Sequence, residues 1–191
     1  ISSILDAATH MFSKKGYYQT SIDEIADYAN IGKGTIYQYF ESKEALFIQV
    51  IEYNYKQYYL EMVNQVNNNY TFKDKIYAFI NFHEKTFNQN IKISDMMLKI
   101  GGVPLKDETE HELHKYLADE RLKIIHLLKE IFECGQMEKH IKEIDCDFVA
   151  DIFYDMVIRY CMRCTLSNYN EIRKEKDRQS LMDMLMRGIH I

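Results

Sequence analysis

The chain has 191 residues, of which 47% are apolar and 28% charged, and it contains one proline and seven glycines. This composition favours helices nearly throughout around a sizeable core, and the net charge of −5 is not that of a generic nucleic-acid-binding domain. Because there is no run of 18 apolar residues and no signal-peptide pattern, we expect a soluble, cytoplasmic protein that does not enter a membrane.

The first element with a clear start signal is a short helix over residues 22–29. Ser21 can cap this helix, and Glu24, three residues later, completes a capping box that satisfies two backbone N–H groups. Asn30 falls where the chain must reverse, and asparagine tolerates the left-handed backbone that a tight turn requires. The sequence therefore predicts a helix followed at once by a turn.

A second short helix is predicted over residues 33–40. Ile36 would be buried, while the polar side chains around it would face outward. Gly32 and Gly34 are poor helix formers, so they make sense where the start of this helix lies against something bulky such as a DNA backbone. Two helices joined in this way are typical of a helix-turn-helix that recognises DNA. An ordinary pair of helices with a polar outer face is the alternative.

The stretch Ala29 to Leu46 reads A-N-I-G-K-G-T-I-Y-Q-Y-F-E-S-K-E-A-L. It resembles the TetR family of one-component repressors, whose signature reads A-G-V-S-K-G-T-L-Y-H-Y-F-x-S-K-E-x-L, and the close resemblance covers about residues 4–50. Asn30 replaces a glycine and keeps the turn geometry. Gly32 replaces a serine and loses a hydroxyl that could touch phosphate, and Gln38 replaces a histidine and alters which bases are recognised.

The resemblance implies a DNA-contacting set. Its members are Thr20, Ser21, Gly32, Lys33, Gly34, Thr35, Tyr37, Gln38, Tyr39 and Lys43. Thr20 and Ser21 would offer a helix N-terminus to a phosphate, and most of the others would bind phosphates and set the register. Gln38 would pair with adenine in the major groove. Tyr39 could instead pack beneath the helix, and Phe40 is expected in the core.

The charge of the first 45 residues runs against a DNA-binding role. They hold four lysines and six acidic residues, whereas a basic patch is the usual footprint of such a domain. We expect the lysines to cluster on the DNA side and the acids to lie mostly on the far side. The chain starts with Ile1 and not Met, so a preceding arm could add positive charge. The alternative is a TetR-fold interaction subunit, or co-regulator, that does not itself bind DNA.

Apolar periodicity predicts helices through the rest of the chain. They cover about 43–67, 71–87, 95–100, a stretch that ends near 133 with a break at Cys134–Gly135, 147–166 and 170–188. The predicted fold is all-α with about nine helices. A helix-turn-helix head, residues 1–46, is joined by the long helix to a ligand-binding and dimerisation body, residues 47–191.

The last two helices predict a homodimer. The helix from residue 147 is apolar over a wider face than one neighbour can cover, and the last helix is expected to place Leu181, Met184, Leu185 and Ile189 on one face. The resemblance implies a four-helix dimer interface at this place, and dimerisation brings two DNA-binding heads to half-sites. A larger monomeric core is the alternative.

The resemblance also implies a pocket among the middle helices for a small, largely apolar or aromatic inducer. Its candidate lining residues are Met62, Phe79, His83, Met97 and Phe153. Each of them could equally be plain core. Ligand binding would alter the separation or pitch of the two heads and so release operator DNA.

The sequence offers little support for an enzyme, a cofactor or a metal. Cys161 and Cys164 have C-x-x-C spacing but no second pair, so we expect buried free thiols. His111 and His114 do not make the H-E-x-x-H spacing of a metallohydrolase, and no Gly-rich phosphate loop or G-x-S-x-G is present. We therefore expect no catalysis, no cofactor and no metal.

Overall fold

The computed structural model describes residues 1–89, 105–167 and 169–189. These residues form eight helices and no strand, which confirms the all-α prediction. The helices are α1 (Ser2–Gln19), α2 (Ile22–Tyr28), α3 (Lys33–Tyr39), α4 (Lys43–Asn67), α5 (Phe72–Gln89), α6 (Asp107–Met137), α7 (Cys146–Leu166) and α8 (Glu171–Ile189). The helix predicted over 95–100 lies outside the described residues.

Side-chain caps define where the later helices begin. The hydroxyl of Thr71 accepts a hydrogen bond from the backbone N–H of Asp74 at 3.1 Å at the start of α5. Asp145 caps α7 by accepting from the N–H of Phe148 at 3.1 Å. Such caps satisfy N–H groups that have no partner inside the helix, so these starts follow from local sequence.

The predicted helix break at Gly135 is wrong. Helix α6 continues to Met137, and Gly135 lies against the ring of Phe72. A Cβ atom added at this glycine would come within 2.8 Å of the ring. The glycine therefore allows close packing and does not end the helix, a role that needs a distant partner and is invisible in local sequence.

The described residues form two compact units. The first unit contains residues 1–58 and 105–117, and its core includes the rings of Phe12 and Phe47, whose centroids are 5.2 Å apart. Leu105 and Leu113 belong to the same core, so residues distant in sequence complete it. The predicted end of a DNA-binding domain at residue 46 stays a prediction about function.

The second unit contains residues 59–89 and those from 118 onward. Helix α5 packs against α7, with the ring centroids of Phe79 and Phe153 6.3 Å apart. Glu84 is buried, and its carboxylate accepts hydrogen bonds from the hydroxyl of Tyr160 at 2.9 Å and from the guanidinium of Arg178 at 3.2 Å. Since these partners come from α7 and α8, one carboxylate ties three helices together.

The apolar side chains of α8 fall into a buried group and an exposed one. Leu181, Met182, Leu185 and Ile189 are buried, whereas Met184 is 58% exposed. Leu181, Leu185 and Ile189 thus pack within the subunit, and Met184 lies off their stripe. The homodimer contact predicted for this helix stays a prediction. None of the helices within the described ranges has the length and apolarity required to span a membrane.

Candidate nucleic-acid interface

The turn between α2 and α3 has the predicted geometry. The hydroxyl of Ser21 accepts from the N–H of Glu24 at 3.2 Å, and the carboxylate of Glu24 accepts from the N–H of Ser21 at 2.9 Å, which completes the capping box. Asn30 has φ of 55°, the left-handed conformation expected for it. The N–H of Ile31 then donates to the carbonyl of Ala26 at 3.0 Å and closes the turn.

Burial of two side chains sets the rotation of α3. Ile36 and Phe40 are both in the core of the first unit, as predicted. At 3.6 residues per turn, the positions opposite Ile36 are Gly34 and Gln38. Both are exposed, so a glycine and a carboxamide occupy the centre of the outward face.

The flanks of this face are also polar or aromatic. Lys33 and Tyr37 lie on one side, and Thr35 and Tyr39 lie on the other. Tyr39 is 53% exposed, so it does not pack beneath the helix. Gly32 precedes the helix as its N-terminal cap residue. The residues between Gly32 and Tyr39 that are predicted to contact DNA are thus all at least partly exposed around α3. Their contact with DNA stays a prediction.

Gly34 is not required by the packing of the protein itself. A Cβ atom built at this position meets nothing within 4 Å. Glycine inside a helix is less favourable than alanine by about 1 kcal/mol, so Gly34 makes the free protein less stable. The lack of a side chain at position 34 is an advantage only if another molecule, such as DNA, approaches this face closely.

The side chain of Thr20 does not face the solvent. It is 1% exposed, and its hydroxyl donates to the carbonyl of Gly16 at 2.8 Å. The Thr20 hydroxyl is therefore not available to a phosphate at this helix N-terminus, and the predicted phosphate site itself stays a prediction. Gly16 has φ of 80° and ψ of 169°, a backbone conformation essentially confined to glycine, and the kink it makes in α1 holds Thr20 inside. Ser21 is exposed, but its hydroxyl is already engaged in the capping box.

The charges around α3 are not segregated as expected. The ammonium of Lys33 lies 2.8 Å from the carboxylate of Asp23, and Lys15 pairs with Glu24. The expectation that acids lie away from the lysines is wrong for these two. The hydrogen bond to Asp23 raises the pKa of Lys33, and the one from Lys15 lowers the pKa of Glu24 to about 2. Sequence periodicity could not reveal these pairs, because their members belong to different helices.

Lys43 occupies a different environment at the start of α4. Its ammonium lies 4.3 Å from the centroid of the Tyr17 ring, a distance at which a cation is attracted to the ring face. Partial burial lowers the pKa of this lysine. Tyr17 thus holds the Lys43 side chain in place, a contact that the sequence did not indicate.

The candidate ligand-binding residues that are described all lie in the second unit. Met62, Phe79, His83 and Phe153 are all buried, and Met97 lies outside the described residues. The ring of His83 is 4.2 Å from that of Phe79, centroid to centroid, and its Nδ1 lies 2.8 Å from the Phe79 carbonyl oxygen. Phe79, His83 and Phe153 thus form an aromatic cluster, and Met62 is buried in the same unit. A role in ligand binding stays a prediction.

The cysteines and histidines with metal-like or catalytic spacing lie in different units, the cysteines buried and the histidines exposed. Burial raises the pKa of the Cys161 and Cys164 thiols, and both cysteines are free. His111 and His114 are exposed on α6. Over the described ranges, no three His, Cys, Asp or Glu side chains are grouped closely enough to hold a metal ion.

Stability should depend on pH through His83. Burial lowers its pKa from 6.5 to about 4, so between these values the unfolded chain binds a proton that the folded protein does not. Stability is then lost as pH falls from about 6.5 to about 4, by up to roughly 3 kcal/mol. Denaturant unfolding across this range should show a smaller loss for His83→Leu than for the wild type.

His126 provides the control, because it belongs to the same unit and is exposed. His126→Gln should retain the pH dependence of the wild type. Equal pH dependence for His83→Leu and the wild type would contradict a buried neutral His83.

The family model described as "Bacterial regulatory proteins, tetR family" matches residues 4–50. The chain is 29% identical over 159 residues to the HTH-type transcriptional regulator YhgD of Bacillus subtilis, covering 81% of this chain and 78% of YhgD. It is 25% identical to the fatty acid metabolism regulator protein of the same organism, covering 98% of this chain and 94% of that protein. A match to the HTH-type regulator YuxN of B. subtilis, at 30% identity over 107 residues, covers 56% of this chain and only 37% of YuxN.

Among solved structures, FadR from Bacillus subtilis in complex with stearoyl-CoA has the same fold. The TM-score is 0.73 at 21% identity, and the match covers 99% of each chain. The proteins compared are transcriptional regulators, and the family match falls on the segment that contains the capped α2, the tight turn and the outward face of α3. The chain belongs to the TetR family of DNA-binding transcriptional regulators.

Proposed function

We propose that this chain is a homodimeric repressor that binds operator DNA through α3 and is released by a small, largely apolar or aromatic ligand. Residues 1–46 would form the DNA-binding domain, and residues 47–191 the ligand-binding and dimerisation domain. The observation that carries the proposal is the outward face of α3, where Gly34 and Gln38 lie opposite the buried Ile36. This face contributes nothing to the core, and its residue types suit close contact with a major groove.

The homodimer is supported by apolar side chains of α7. Phe148 and Ile152, one helical turn apart, are 64% and 44% exposed. Leaving such side chains in water costs free energy in proportion to their apolar area, at about 25 cal/mol per Å². A symmetric contact through α7 and α8 would bury them in both subunits. It would also give the two-fold symmetry with which paired α3 helices bind two half-sites.

The aromatic cluster of the second unit supports an apolar ligand. Met62, Phe79 and Phe153 are buried and apolar, and apolar and aromatic side chains predominate in the lining of ligand-binding pockets. One similar protein is named a fatty acid metabolism regulator, and one similar structure contains stearoyl-CoA. Long-chain acyl-CoA is therefore the first ligand to test. Helices α4 and α6 each contribute residues to both units, so a ligand that favours one arrangement of these helices would alter DNA binding.

A TetR-fold interaction subunit without DNA binding is the second candidate. The pairing of Lys33 with Asp23 and of Lys15 with Glu24 favours it, because it neutralises lysines that would otherwise bind phosphates. Fluorescence anisotropy separates the two candidates. DNA from upstream of the protein's own gene is titrated across a salt series against a shuffled duplex, and a repressor binds the first more tightly, with steep salt dependence.

Two substitutions should affect DNA binding differently. Gln38→Ala should change the preferred sequence, because one bidentate base contact gives about 1–3 kcal/mol of discrimination. Lys43→Ala should weaken binding to all duplexes alike, since a phosphate contact carries no sequence information. Both are measured by anisotropy on a panel of single-base variants of the bound site. A uniform loss for Gln38→Ala as well would contradict its assignment to base recognition.

Stearoyl-CoA should release the DNA. At saturating ligand we expect DNA affinity to fall about 5- to 150-fold, the usual range of coupling between two sites. Coenzyme A and stearate are added separately as controls for the two parts of the molecule. Phe79→Leu should raise the stearoyl-CoA concentration needed for half-release of the DNA. Phe47→Leu replaces an equally buried residue in the first unit and should leave that concentration unchanged. Tight binding of stearoyl-CoA with no change in DNA affinity would contradict the mechanism.

A further inference from the structure

An ion pair lies beside the proposed DNA-binding face. The ammonium of Lys33, at the first position of α3, is 2.8 Å from the carboxylate of Asp23, in the first turn of α2. The side chains are 49% and 61% exposed, respectively. The pair is therefore on the surface, where a third charged group can reach the ammonium.

The fold gains little from this pair. An exposed ion pair contributes about 0.2–1 kcal/mol to stability, and the connection between α2 and α3 is already secured by buried Ile25, Ala26 and Ile36. Asp23 also differs from Glu24, whose carboxylate completes the capping box of α2. The charge of Asp23 can thus be removed without removing that cap.

We propose that Asp23 attenuates DNA affinity, because its carboxylate competes with a DNA phosphate for the ammonium of Lys33. This inference rests on the proposed function, in which Lys33 faces DNA. A phosphate that approaches Lys33 must displace the carboxylate or lie close to a like charge. Each outcome lowers the affinity for every DNA sequence equally, since phosphate contacts carry no sequence information.

The consequence is a restraint on non-specific binding. Most non-specific affinity comes from lysine and arginine contacts to phosphates. A lysine that starts paired contributes less to this affinity than a free one. Asp23 does not act on the contacts to bases, which select the operator. The acidic head is then a means of keeping overall affinity moderate while base recognition is retained.

The test compares Asp23→Asn with Asp27→Asn in anisotropy titrations at several salt concentrations. Both substitutions remove one negative charge from α2, and both residues are exposed, but Asp27 lies one turn farther along the helix. Asp23→Asn should bind both operator and shuffled DNA about two- to fivefold more tightly than Asp27→Asn does, as expected for one exposed charge pair. The difference should shrink as salt is raised.

The same two substitutions in a Lys33→Gln background complete a double-mutant cycle. Without the ammonium, Asp23→Asn and Asp27→Asn should have equal effects. The inference is overturned if Asp23→Asn shows no excess over Asp27→Asn, or if the excess persists without Lys33. If the wild type binds DNA and one of these two outcomes is seen, only the inference about Asp23 fails. If neither the wild type nor any variant binds DNA, both the inference and the proposed function fail.

Discussion

Burial of Ile36 and Phe40 is the constraint on which the interface depends. These two side chains fix how α3 is rotated on the core of the first unit, and the rotation alone determines that Gly34 and Gln38 point outward. A helix of seven residues has little stability of its own. Its position is imposed by packing, by the capping box of α2 and by the turn at Asn30, so the residues of its outward face need not stabilise anything.

Electrostatics then modifies what this face can do. The protein is acidic, with a net charge of −5, and two lysines of the head are paired with carboxylates of α2. Long-range attraction to DNA is consequently weaker than for a basic domain. Under the proposed function, DNA recognition relies more on close contacts at α3, and an unobstructed glycine, a carboxamide and flanking tyrosines suit such contacts.

Features of the structure that depend on neighbouring residues in the chain were predicted correctly from the sequence. The cap at Ser21, the left-handed turn at Asn30 and the burial of Ile36 were each predictable from spacing and side-chain chemistry. The features that local sequence did not reveal involve contacts with another helix. Thr20 is held inside by carbonyls of the preceding helix, and Gly135 is required by the Phe72 ring. No periodicity in the chain encodes such contacts, and the same holds for the pairing of Lys33 with Asp23.

The most direct measurement of the central claim uses one variant, Gly34→Ala, and two readouts. Denaturant unfolding should show a gain in stability of up to about 1 kcal/mol, because alanine favours the helix and its Cβ meets nothing in the free protein. Operator affinity, measured by anisotropy on the same preparation, should fall, because the added methyl group lies at the centre of the face that approaches DNA. A more stable variant that binds DNA as tightly as the wild type would contradict the claim that this face of α3 contacts the operator.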